Sequence, residues 1–156
     1  ATDESPAEWG PPSSVVASIC LLSQLMQPAV DRLDPHDPQR PLLIDALRRH
    51  HVRTLLRRTS PGGRIVFISD LVSADSCPGL DQYPADQLPQ LARALLAGGN
   101  FLAGTHPGQM LGLFQSELHD GGLVARITEP VLWRWKLGLR RYLVYGFIVT
   151  RSARPV

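Results

Sequence analysis

Three stretches of the chain are apolar at nearly every position rather than at every second one. They are "SVVASICLLSQL" from Ser14, "RIVFISDL" from Arg64 and "RRYLVYGFIVTR" from Arg140. Strands buried on both faces of a covered parallel sheet have this pattern. Val15 to Leu22 is therefore expected as a first strand with neighbours on both sides, and little upstream sequence exists to provide one. The second strand is expected at Ile65 to Leu71, a short one at Leu123 to Thr128 and the last at Arg141 to Arg151. The chain has the look of the later half of an α/β domain.

Between the strands the period changes. From Pro41 to Thr59, the residues Leu43, Ile44, Leu47, Val52 and Leu55 fall on one side at helical spacing, while Arg49, Arg53 and Arg57 line the other. Pro41 suits the first turn, and Ser60-Pro61-Gly62-Gly63 should end the helix. "SQLMQPAVDRL" has room for a short helix. "DPHDPQRP" holds three prolines in eight residues and is loop. A second helix is expected from Asp86, its cap, to Ala97, with Gly98-Gly99 behind it. A third runs from Pro107 to Leu118, closed by Gly121-Gly122. "EPVLWRWKLGL" reads as loop or partial turn. The last two strands are joined by only a dozen residues, too few for a parallel crossover, so they should pair antiparallel.

Composition narrows the class. The chain has 156 residues, 44% hydrophobic and 19% charged, which suits one globular domain. Residues 1–14 are a polar tail or remnant linker, 15–151 the domain, and 152–156 a short tail. No apolar run is long enough to span a bilayer, and no signal peptide is visible. The net charge of +2 is too small to argue for nucleic acid. Cys20 and Cys77 make neither a disulfide framework nor a metal motif, and idle thiols suit a reducing cytosol, so the expected location is cytoplasmic.

Taken in order, these segments resemble the C-terminal half of a class I S-adenosylmethionine-dependent methyltransferase. "SSVVASICLLSQL" looks like the fourth strand of that fold and "LLRRTSPGGRIVFISDL" like its fifth with the preceding helix and Pro-Gly-Gly turn. "GLVARIT" and "RRYLVYGFIVTR" look like the sixth and seventh, which form an antiparallel hairpin. The resemblance implies a partial Rossmann-like three-layer sandwich, its parallel strands ending in an antiparallel C-terminal hairpin. It also implies S-adenosylmethionine as cofactor, with no metal. The family's glycine-rich cofactor loop and the acidic residue that binds the ribose are missing from this sequence. The implied partner is thus a separate or upstream N-terminal half, or a second copy joined through the first strand. The alternatives are a noncatalytic dimerisation or regulatory module and, more weakly, a small nucleic-acid binder using the Arg row. The methyl acceptor is not named by any motif.

Ligands of open α/β sheets sit beyond the carboxyl ends of the strands. Ser18, Cys20, Ser23 and Gln24 cluster there at the first strand, where the resemblance puts the methionine part of the cofactor. Packing and turn capping are the plainer roles for the same residues. Ser69 and Asp70 end the second strand. Asp70 either accepts a hydrogen bond from a substrate amine or hydroxyl or caps the next segment. His106, before Pro107, is a candidate general base or an ordinary loop residue. His50, His51 and "DPHD" at Asp34 to Asp37 lack metal spacing. Trp133 and Trp135 either cover the sheet edge or form an exposed patch. No G-x-S-x-G elbow occurs, which argues against a hydrolase.

Overall fold

The computed structural model describes residues 10–119 and 122–153. Residues 1–9 and 154–156 of the two expected tails, and Gly121, lie outside the described residues.

The first strand, β1, spans Ser13–Ile19 and ends earlier than the apolar run suggested. Cys20 adopts φ 48 and ψ 25, a left-handed conformation that turns the chain at once into helix α1, Leu21–Val30. Leu22, Met26 and Val30, each four apart, are its buried residues. Helix α2, Gln39–Arg58, buries Arg48, His51, Val52, Leu55 and Leu56. Arg49, Arg53 and Arg57 are exposed, and Arg49 pairs with Asp45 at 2.7 Å. The row is a solvated helix face.

Strand β2 runs over Thr59–Ser73 and takes in the Pro-Gly-Gly segment that was expected to precede it. Gly62 has φ 74 and supplies the bend, while Gly63 is needed for space. A Cβ on Gly63 would lie 2.8 Å from the carbonyl oxygens of Ser14 and Ser60. Two 3-10 turns, Leu80–Gln82 and Ala85–Gln87, lead to α3, Leu88–Ala97. Gln87 rather than Asp86 is the cap residue, with no side-chain cap bond. Helix α4 is Pro107–His119. Then come β3, Val124–Ile127, and β4, Val131–Leu137. The last strand is β5, Arg140–Arg151. The Trp-rich segment expected as loop is thus a strand, paired antiparallel with β5 from Val131–Gly146 to Leu137–Arg140.

The sheet order is β1-β2-β5-β3, with β4 following β3 along the same edge of β5. Strands β1 and β2 are parallel, and β5 runs antiparallel to β2, β3 and β4. Among the described residues the result is an α/β fold with a mixed, open, five-stranded sheet and four helices. On one face Ile65, Phe67, Tyr145, Phe147 and Val149 join the buried residues of the helices in one core. Phe67 sits at its centre. It stacks on Phe147 at 5.1 Å and meets Phe114 and His51 edge-on at 5.9 and 6.3 Å.

Alternate strand residues point to the other face, as the pleat requires. There Val15, Ile19 and Val131 are 57%, 49% and 61% exposed, and Ala17 and Ile148 are exposed as well. The exposure lies over β1 and at Val131 and Ile148, while Val144 and Asp70 on the same face are buried. Among the described residues strand β1 pairs with β2 only, as an edge strand, not as the flanked strand its apolarity suggested. No helix among the described residues is long and apolar enough to cross a membrane.

Candidate functional site

A cleft of about 640 Å³ opens where β1 and β2 end and β5 begins. Three local features build it. The left-handed turn at Cys20 swings α1 over the end of β2, and Cys20 N–H donates to the Ile68 carbonyl at 2.9 Å. A non-glycine residue held at positive φ costs roughly 1–2 kcal/mol, and Cys20 is the only such residue among those described. The register of β2 against β5 shifts between Asp70 and Val72. A bulge of this kind re-aims side chains at a sheet end. Leu71 and Val72 are then both fully buried, while Asp70 stays on the side of Ile68 and lines the cleft. The hairpin from β4 to β5 brings up the far wall, with Trp135 opposite Tyr142 in register.

Asp70 is the centre of the polar chemistry. It is 7% exposed. Ser23 Oγ donates to its Oδ2 at 2.9 Å, and Oδ1 is buried with no partner among the described residues. Burial raises the pKa of its carboxyl above the ordinary carboxylate range, and the Ser23 bond pulls it part of the way back. Cys20 lies alongside. Its thiol is pushed up to about 11, first by burial and then by the negative charge of Asp70. A thiol held protonated at neutral pH is a poor nucleophile. Asp75, Arg140 and Gln24 also line the cleft, with Ile19, Leu102 and Val144 as its apolar surface.

Of the residues expected to be near a ligand, the fold brings Cys20, Ser23, Gln24 and Asp70 together here. Ser18 points to the opposite face. It is buried, and its hydroxyl shares a 2.8 Å hydrogen bond with His51 Nε2. His51 is held down to about pKa 4, by burial and then by neighbouring His50. Ser69 is fully buried beside the Tyr145 hydroxyl, which donates to the Thr105 carbonyl at 2.9 Å. His106 does not line the cleft. It sits at the start of α4, edge-on to Phe101 at 5.3 Å, with Nδ1 facing the Gln109 N–H. The sequence reading did not anticipate Trp135, Arg140, Tyr142 and Asp75 as cleft residues. The alternation of Trp with Arg and Lys from Trp133 to Lys136 was the available signal for Trp135.

The arrangement can accept hydrogen bonds from a donor ligand and can hold an apolar or aromatic body. Among the described residues no three His, Cys, Asp or Glu side chains come together as a metal set. No family model matches this sequence, and neither a curated protein nor a solved structure matches it.

Proposed function

We propose that this chain is the C-terminal half of a class I S-adenosylmethionine-dependent methyltransferase and is inactive without an N-terminal half. The observation that carries the reading is the sheet. A parallel pair, β1 and β2, is followed by an antiparallel hairpin in which the last strand, β5, lies inside and β3 and β4 lie outside. The exposed apolar face and the unpaired edge of β1 support the need for a completing polypeptide. The cleft lies where open α/β sheets hold ligands.

The residues present fit one end of the cofactor. Cys20, Ser23 and Gln24 border the cleft at the position where the resemblance puts the methionine part. The adenosine end has no cradle among the described residues. The tightly packed glycines are filled from within: a Cβ on Gly63 would meet Ser14 and Ser60, one on Gly104 would lie 2.9 Å from Met26, and one on Gly146 would lie 3.0 Å from the Phe67 carbonyl oxygen and Trp133. When bound, S-adenosylmethionine supplies an electrophilic methyl group on a sulfonium. The contribution of this chain is to orient the acceptor, with Asp70 as the hydrogen-bond acceptor and the aromatic wall of the cleft excluding water.

Nuclear magnetic resonance of the ¹⁵N-labelled chain titrated with S-adenosylhomocysteine tests the reading. Weak binding is expected, with shifts confined to residues 19–24 and around Asp70. A titration that leaves those amides unmoved removes the cofactor reading.

The second reading, a noncatalytic module that dimerises through β1, is favoured by the exposure of Val15 and Ile19 on that edge strand. Sedimentation equilibrium separates the two. A dimer that returns to monomer in Val15→Lys supports the module, and a stable wild-type monomer eliminates it.

A further inference from the structure

We propose that the cleft takes an organic ammonium ion with an aromatic or aliphatic body, its N–H directed at the Asp70 carboxylate. As the identity of the methyl acceptor, this rests on the reading above; as a statement about binding, it stands on the cleft alone.

The first ground is the unfilled oxygen. A buried carboxylate oxygen without a donor loses the hydrogen bonds water would give it, and the loss is greater for a charged group than for a neutral one. Asp70 is more than nine-tenths buried, its Oδ2 is taken by Ser23, and its Oδ1 has no partner among the described residues. Native structures rarely leave such a group unmatched unless something outside the chain completes it. A charged N–H donor is the strongest complement, because a charge-assisted bond is about twice a neutral one.

The second ground is the rest of the wall. Asp75, which is exposed, adds a second carboxylate to the cleft lining. Trp135 and Tyr142 are register partners, so their rings share the face that borders the cleft. Aromatic faces attract cations through the negative face of the ring quadrupole. Ile19 and Leu102 supply apolar surface for a carbon body, and the volume suits a small molecule. Arg140 is the one cationic side chain on this wall, so the remote end of the ligand is neutral or anionic rather than a second cation. An anion as the primary ligand would have to sit against two carboxylates.

The test uses three matched probes: 2-phenylethylamine, 2-phenylethanol and 3-phenylpropionate, each titrated into the ¹⁵N-labelled chain. Saturable shifts at Ser23, Asp70 and the Trp135 indole are expected with the amine, and weaker or no shifts with the alcohol and the acid. Asp70→Asn keeps the shape and an acceptor for Ser23 but removes the charge, and should weaken the amine by roughly tenfold or more. Equal binding of all three probes overturns the proposal, and so does an unchanged affinity in Asp70→Asn. Should that variant fail to fold, the wild-type chain still decides. The ¹³C carboxyl titration of Asp70 must move to lower pH when the amine is bound, followed together with Cys20, Asp75, Tyr142, Tyr145 and Arg140 around it. A titration that stays put overturns the proposal. Amine binding without any response to S-adenosylhomocysteine keeps this inference and removes methyl transfer. The converse keeps the cofactor reading and removes this inference.

Discussion

Acid should weaken this fold through one imidazole. His51 on α2 is 5% exposed, shares its Nε2 hydrogen bond with Ser18 of β1, and packs edge-on to Phe67. Its pKa falls from 6.5 to about 4 because the charged form would have to leave water for the core, beside His50. A base with a depressed folded pKa binds fewer protons in the native state than in the unfolded state. Its stabilising contribution is complete above pH 6.5 and is lost as pH falls toward 4. The gap of about 2.5 units, at ~1.4 kcal/mol each, gives about 3 kcal/mol across the whole window. About 2 kcal/mol of that is gone by pH 5, before most carboxylates titrate. Urea unfolding of the wild type and His51→Gln between pH 7 and 5 measures the difference. The wild type should lose about 2 kcal/mol more than the variant over that range. An equal pH slope in both proteins, or a His51 Cε1 proton titrating near 6 in the native wild type, would refute the reasoning.

Two further substitutions probe the geometry that makes the cleft. Gly63→Ala places a methyl against two backbone carbonyl oxygens and the Thr59 methyl at 2.8 Å, so β1 and β2 must part locally. A loss of about 1–3 kcal/mol is expected in denaturant unfolding, and an unchanged midpoint would mean the strand start gives way freely. Cys20→Gly should hold or slightly raise stability, because glycine takes φ 48 without strain, whereas Cys20→Val should lose more than about 1 kcal/mol. A larger loss in the glycine variant than in the valine variant would show that side-chain contacts, not backbone conformation, govern this turn.

The helices were legible where a long apolar stripe faced a charged one, as in α2, where Val52 and Leu55 are buried and Arg49 and Arg53 are exposed. The end of β1 was not. "SICLLS" stays apolar through the junction, and a continuous apolar run does not distinguish strand from helix. The switch at Cys20 is a backbone event without a Gly or Pro to announce it. Strand β4 was missed for a different reason. Pro130 and Gly138 bracket only seven residues, and the period-two alternation of Trp133 and Trp135 with Arg134 and Lys136 was outweighed by those breakers. The candidate site was half legible: the polar residues past the strand ends were visible, but the aromatic wall comes from a hairpin whose pairing no local pattern supplied.

Apolarity on both faces of a strand says that both faces need cover, not that this chain provides it. Here the exposed face and the cleft adjoin at Ile19, which is half-exposed and lines the cleft. A polypeptide laid on that face, as proposed, would also narrow the cleft and remove water from around Asp70. In drier surroundings the unmatched carboxylate becomes more costly and its attraction for an ammonium stronger. Cover and cation therefore favour each other, and linkage makes the coupling the same in both directions. The measurable consequence is that a polypeptide bound on the sheet tightens 2-phenylethylamine by the same factor as the amine tightens the polypeptide. In Asp70→Asn, which has no charge to strand, that coupling should shrink toward nothing.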